Sequence, residues 1–196
     1  MMPRTVYFVR HGQTDWNAEG RLQGQADTDL NDTGRAQATR NGELLRGLVG
    51  DPAAFDFVSS PLRRTRETME RIRVAIGMAP DGYRLDPRLV EVHFGDWQEH
   101  TFAELEASDS GCFARREEDK WNFVPPGEGA ESYAILTERI RPVLEEMERD
   151  TICVTHGGII RSIFRLTDTL SPAECAALIV PQDRVLRLRD GRLEWL

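Results

Sequence analysis

The sequence predicts an α/β protein, a three-layer α/β/α sandwich with a mostly parallel central sheet. Short β-prone apolar runs at Thr5–Arg10, Phe55–Ser59 and Thr151–Thr155 alternate with longer stretches of helical spacing. Strands alternating with helices imply parallel pairing, with helices covering both faces of the sheet. The strand ends are alike as well. Each run stops just before arginine or histidine residues, at the sheet edge where α/β proteins place their ligands.

Thr5–Arg10 reads as a buried strand and His11–Asn31 as a polar, glycine-containing loop. Asp32–Val49 has helical spacing, with Leu44, Leu45 and Leu48 on one side and Asn31 or Thr33 as N-cap. Phe55–Ser59 is a short second strand. Ser60-Pro61 opens a helix through about Ile76, with Ser60 as N-cap and Pro61 at the first helical position. Gly77–Arg88 is irregular, and Leu89–Phe94 reads as a short strand. Gly95–Gly129 is rich in charge, contains Pro125-Pro126-Gly127, and is the least regular part; it reads as a lid-like insertion. Glu131–Arg149 is a long helix striped by Leu136, Ile140, Val143, Leu144 and Met147, which Pro142 should kink. A helix over Gly157–Leu166 follows the strand Thr151–Thr155, and Ser171-Pro172 starts another. Arg184–Leu188 and Arg192–Leu196 flank Asp190-Gly191, a strong hairpin signal. With no long linker, 1–196 reads as a single domain.

Composition narrows the function. The chain has 196 residues, 40% hydrophobic and 30% charged, as ordinary globular proteins have. Its net charge of −8 argues against nucleic acid or an anionic membrane surface as the main partner. No run approaches the roughly 18 apolar residues of a membrane span. Met1-Met2-Pro3-Arg4 leads directly into the first strand, so no leader is expected. Cys112, Cys153 and Cys175 are scattered and make neither a metal pattern nor a disulfide framework, so a reducing cytoplasm is expected. The four histidines show neither His-x-x-x-His nor His-Glu-x-x-His spacing, and no metal site is expected.

Against this acidic background, any anion site must be a local concentration of Arg and His. Three strand ends supply one. Val9-Arg10-His11-Gly12 follows the first strand, Ser59-Ser60-Pro61-Leu62-Arg63-Arg64-Thr65 the second, and Val154-Thr155-His156-Gly157-Gly158 the late one. In a parallel sheet these ends share one edge, so Arg10, His11, Arg64 and His156 converge. Guanidinium groups bind phosphate oxygens and stabilise charge in phosphoryl transfer. Surrounding positive charge lowers a histidine pKa and keeps the imidazole nucleophilic. Gly12 and Gly157 would let backbone N–H groups approach an anion. His93 and His100 read as surface residues, Trp16 and Trp97 as packing residues, and Arg63 and Arg66 as solvated.

Four motifs in order, Arg10-His11-Gly12-x-Thr14-x-Trp16-Asn17, Ser60-Pro61-Leu62-x-Arg64-Thr65, Glu91-x-x-Phe94-Gly95-x-Trp97 and Thr155-His156-Gly157-Gly158, resemble the histidine phosphatase superfamily, the phosphoglycerate mutase-like family. The resemblance covers nearly the whole chain. It implies that His11 is the phosphorylated nucleophile, that Arg10, Arg64 and His156 hold the phosphoryl oxygens with help from Asn17, and that Glu91 is the general acid. Gln23 and Gly24 match a loop that touches substrate in some members. No cofactor is implied. Gln98-Glu99-His100 departs from the pattern, since many members have an acidic residue and then glycine after the tryptophan.

The reading is a metal-independent phosphatase acting on a small phosphorylated metabolite, as a monomer or homodimer. A cofactor-dependent phosphoglycerate mutase is the alternative, since Glu91-x-His93-Phe94-Gly95 and Arg115-Arg116 are similar to mutase segments. A mutase calls for a richer basic lid than Arg115-Arg116 diluted by Glu117-Glu118-Asp119. A non-catalytic phospholigand-binding module stands behind both, and the presence of His11 and Glu91 argues against it.

Overall fold

A computed structural model describes residues 4–196. Met1, Met2 and Pro3, part of the lead-in from which no leader is expected, lie outside the described residues. Six strands, β1 (Thr5–Arg10), β2 (Asp56–Ser59), β3 (Arg84–Leu85), β4 (Thr151–Thr155), β5 (Val185–Arg189) and β6 (Arg192–Trp195), form one sheet in the order β3-β2-β4-β1-β5-β6. The first four run parallel; β5 and β6 close one edge antiparallel. The helices are α1 (Asp15–Glu19), α2 (Asp32–Leu48), α3 (Arg63–Ala75), α4 (Phe102–Ser108), α5 (Cys112–Glu118), α6 (Tyr133–Glu145), α7 (Gly157–Leu166) and α8 (Pro172–Ala177).

Strand periodicity builds the layers. Val6 and Phe8 of β1 pack with Leu136, Ile140, Ile159 and Ile163 of α6 and α7. Tyr7 and Val9 turn to the other face and pack with Leu45, Met69 and Ile72 of α2 and α3. Each fully buried aliphatic or aromatic side chain contributes about 1.5–3 kcal/mol. The β5–β6 turn has φ of 51° at Asp190 and 72° at Gly191, the double positive φ that an Asp-Gly hairpin requires. None of the described helices is long and apolar enough to cross a membrane.

Several elements differ from the sequence pattern. Leu44 and Leu48 stay exposed, and α2 buries Gly34, Ala38, Asn41, Gly42 and Leu45 instead. Close approach of two helices selects this face: a Cβ on Gly42 would lie 2.6 Å from the Ala75 Cβ and 2.9 Å from the Ile72 Cα. α3 begins at Arg63 with Leu62 at the N-cap, so Ser60 does not cap it. Leu89–Phe94 is not a strand. Its carbonyls at Val90 and Glu91, with that of Arg88, accept from the Arg139 guanidinium, so a side chain takes the place of a neighbouring strand. α6 ends at Glu145 with Pro142 near its end, short of the predicted Arg149.

The segment 95–129 is ordered by its own small core, in which Trp97, Leu105 and Cys112 pack with Leu22, Phe94, Phe102 and Phe123. α4 starts at a capping box of Thr101 and Glu104. Arg21 ties this segment to the α1 region by pairing with Glu104 at 2.8 Å. Glu99 adopts φ 72°, the left-handed conformation that glycine accepts freely and that costs a glutamate of order 1 kcal/mol. It stands where many members of the resembling family have glycine.

Candidate active site

Sheet register brings the first pair of side chains together. Arg10 of β1 lies opposite Thr155 of β4, so His11 and His156 leave the sheet side by side. Their rings sit 5.2 Å apart, inclined at 61°. β2 flanks β4 with Ser59 opposite Val154, which sets Ser60 next to His156. Arg64 enters from the first turn of α3, and Glu91 from the loop pinned by Arg139. These side chains surround a cleft of about 460 Å³. Arg10, His11, Asn17, Gln23, Gly24, Arg64, Glu91 and Gly157 line it; His156 is fully buried behind His11.

Hydrogen bonds assign the proton on each imidazole. His11 Nδ1 lies 2.7 Å from the Gly12 carbonyl oxygen, which can only accept. Nδ1 therefore carries the proton, and Nε2 keeps its lone pair. His156 is the reverse. Its Nε2 lies 2.8 Å from the Ser60 hydroxyl, which finds no other acceptor among the described residues. Ser60 donates to Nε2, and the proton of His156 sits on Nδ1, which is buried without a partner among the described residues. Burial, then the Arg64 and Arg10 charges, hold the His11 pKa well below 6.5. Burial, then Arg64, does the same to His156. Both rings are neutral near pH 7.

The arginines are anchored on main-chain carbonyls. Arg64, wholly buried, donates from Nη1 to Ala26 at 2.7 Å and from Nη2 to Gly24 at 2.8 Å. Arg10 donates from Nη1 to Val180 at 2.6 Å. Burial lowers both guanidinium pKa values to about 10, against the raising influence of Glu91, so both stay charged. The Nε of each is buried without a partner among the described residues. Two arginine Nε–H groups and His156 Nδ1–H are thus left as unsatisfied donors, and each calls for a ligand acceptor. A phosphoryl group supplies three such oxygens.

Glu91 accepts from the Gly158 N–H at 3.0 and 3.1 Å and from the Val92 N–H at 2.9 Å. A Cβ on Gly158 would lie 2.3 Å from Glu91 Oε1, so only glycine admits the carboxylate there. Gly12 works differently from the anion approach its motif predicts. Its N–H donates to Thr68 Oγ1, and a Cβ would meet the Gly34 carbonyl oxygen at 2.2 Å. That glycine lets the loop pack on the start of α2. Asn17 Oδ1 accepts from the Thr14 N–H and from Gln182 Nε2, which leaves Asn17 Nδ2 for the cleft. Gln23 Oε1 accepts from the Thr14 and Thr28 hydroxyls, which leaves its Nε2 likewise. Arg63, predicted to be solvated, pairs at the surface with Asp27 and Asp29. His93, predicted at the surface, is half-buried and accepts from the Gly95 N–H.

A family model described as histidine phosphatase superfamily (branch 1) matches residues 6–192. The chain belongs to this superfamily. A glucosyl-3-phosphoglycerate phosphatase of Mycobacterium tuberculosis is 36% identical over 177 residues, covering 83% of this chain and 74% of that protein. A metal-independent phosphoserine phosphatase of Arabidopsis thaliana is 35% identical, covering 97% and 78%. Among solved structures, the mycobacterial glucosyl-3-phosphoglycerate phosphatase in complex with VO3 superimposes with a TM-score of 0.80 at 32% identity, covering 98% of this chain and 96% of the other. The three-layer fold is that of these phosphatases.

Sequence motifs do not point to Gln182, Val180 or Arg139, although each holds part of this histidine phosphatase site in place. Gln182 Nε2 donates to the His11 carbonyl at 3.1 Å and to Asn17 at 3.0 Å, from far along the chain. The depressed histidine pKa values set a pH dependence of stability. Below pH 6.5 the unfolded chain takes up protons on His11 and His156 that the folded protein refuses. Stability therefore falls as pH falls, by roughly 2–3 kcal/mol for the pair between pH 7 and 5.5. Urea unfolding at the two pH values in phosphate-free buffer checks this. A midpoint that stays level or rises on acidification contradicts it.

Proposed function

We propose that the protein is a metal-independent phosphomonoesterase that hydrolyses a small phosphorylated metabolite through a phosphohistidine on His11. The observation that carries this reading is the ring of unsatisfied donors, Arg10 Nε, Arg64 Nε and His156 Nδ1, in a site where His11 keeps an unprotonated Nε2. The Nε2 lone pair forms the N–P bond as the ester P–O bond breaks. The leaving alkoxide takes its proton from Glu91. Arg10, Arg64 and His156 balance the equatorial oxygens, with Asn17, Gln23, Gly24 and the Gly157 backbone shaping the site. Water, deprotonated by Glu91, then attacks phosphorus, and the N–P bond returns its electrons to His11.

Charge balance at the lid favours hydrolysis over a mutase reaction. Arg21 is neutralised by Glu19 and Glu104, and Arg116 by Glu117, leaving little for a doubly charged cofactor. The relatives named as phosphatases support the same choice. The segment 95–129 is the lid of a single domain. Three free, buried cysteines suit a reducing, cytoplasmic setting.

The test is hydrolysis of an aryl phosphate after exhaustive chelation, with rapid quench and mass spectrometry of the peptide that contains His11. Undiminished turnover in chelator and a phosphoryl adduct on His11 are expected. Activity restored only by added metal, or an adduct elsewhere, refutes the reading.

A further inference from the structure

We infer that Gln98, at the root of the segment 95–129, is a positioning residue that aims the Arg64 guanidinium by fixing one peptide plane. This rests on the phosphomonoesterase reading above. Gln98 belongs to the stretch Gln98-Glu99-His100 that departs from the resembling pattern, and it is not among the residues that line the cleft. Main-chain bonds set it in place. The Leu22 N–H donates to the His100 carbonyl at 2.9 Å, and the Glu99 N–H to the Leu22 carbonyl at 2.8 Å. The root of the segment therefore runs beside Leu22, and the Gln98 side chain meets the turn that follows. That turn, Gln23–Ala26, is closed by the Ala26 N–H donating to the Gln23 carbonyl at 3.0 Å, with Gly24 at φ 53°. A Cβ on Gly24 would lie 2.1 Å from Gln98 Oε1, so the amide rests directly on the glycine.

The peptide between Gly24 and Gln25 is gripped at both ends. Its N–H, on Gln25, donates to Gln98 Oε1 at 2.8 Å. Its carbonyl, on Gly24, accepts from Arg64 Nη2 at 2.8 Å. A trans peptide points these two groups in opposite directions, so fixing one fixes the other. Two turn types share a left-handed first central residue and differ in the direction of their central peptide. In the other direction the Gly24 carbonyl would face Gln98 Oε1, and the N–H would face the Arg64 guanidinium. Acceptor would meet acceptor, and donor would meet donor. Gln98 thus selects the direction in which Gly24 receives Arg64. The Ala26 carbonyl takes Arg64 Nη1 at 2.7 Å, and the two carbonyls together set the plane of the guanidinium. The same turn reaches the acid's loop, since Gln25 Nε2 donates to the Glu91 carbonyl at 3.1 Å.

Gln98→Met keeps the bulk of the side chain and removes the acceptor, whereas Gln98→Glu keeps an acceptor oxygen. Gln98 is half-buried, so both variants should fold, and urea unfolding in phosphate-free buffer checks that. On an aryl phosphate, Gln98→Met should lower kcat/KM about 5–30-fold and Gln98→Glu less than about threefold. Gln98→Ala, which also lacks the acceptor, should lose as much as Gln98→Met. Inorganic phosphate, measured by calorimetry, should bind Gln98→Met about 3–10-fold more weakly than it binds the wild type. In an Arg64→Lys background, where one ammonium replaces the fork, Gln98→Met should change turnover less than about twofold. Equal losses in both backgrounds, a Gln98→Glu protein as impaired as Gln98→Met, or a phosphate affinity that Gln98→Met leaves unchanged would overturn the assignment. If the wild type hydrolyses no phosphate ester, the phosphatase reading fails separately. The phosphate affinities of the wild type, Gln98→Met and Gln98→Glu then still decide the role of Gln98, and a wild type that binds no phosphate overturns it.

Discussion

Replacing His11 with alanine is expected to lower turnover of an aryl phosphate by about 10⁴-fold or more. His11 Nε2 is the one nucleophile that geometry frees: its partner nitrogen is committed to Gly12, and its pKa is held well below 6.5. His156 cannot substitute, because its Nε2 lone pair is occupied by Ser60. Among the described residues the side chain of His11 makes a single polar contact, so its removal leaves the sheet edge intact. Arg10, Arg64 and His156 remain, and inorganic phosphate should bind the variant about as well as it binds the wild type. Near-normal turnover by this variant would sink the phosphohistidine mechanism. Urea unfolding of the same preparation separates lost chemistry from lost folding.

Replacing Glu91 with glutamine should cost about 10²–10⁴-fold on an alkyl phosphate, whose leaving oxygen needs a proton. The loss on p-nitrophenyl phosphate should be smaller, since that phenolate departs unaided. The amide oxygen of glutamine can still accept from the Gly158 N–H, so the loop keeps its place. The second half-reaction then lacks its base, and phosphorylated His11 should accumulate on the aryl ester as a burst equal to the enzyme. Equal losses on both esters, with no burst, would remove Glu91 from proton transfer and leave it a purely structural anchor of α7.

The parallel strands β1, β2 and β4 and the convergence of their ends were legible for the same reason. Thr5–Arg10 and Thr151–Thr155 have apolar centres, Val6–Val9 and Ile152–Val154, and lead into Arg10-His11 and His156, and parallel register then forces their ends together. The register, not any local signal, makes neighbours of His11 and His156. What could not be read depends on side chains answering main chain at long range. Leu89–Phe94 has the composition of a strand, yet Arg139 claims its carbonyls. Ser60-Pro61 has the form of a helix start, yet the Ser60 hydroxyl is spent on His156. The leucines of α2 mislead because small residues, Gly42 above all, decide which face meets α3. The order in 95–129 was within reach: Thr101 followed by Glu104 is a capping box, partly hidden in a charged stretch.

Carbonyl oxygens from Ala26, Gly24 and Val180, not carboxylates, hold the two buried arginines. A carbonyl fixes direction without cancelling charge. The uncancelled charge and the unpartnered N–H groups suit an anion, and free inorganic phosphate offers them the same oxygens as the ester. Leaving group aside, the protein has little means of telling what it has finished from what it has yet to begin. Inorganic phosphate is therefore expected to compete with the ester for these donors.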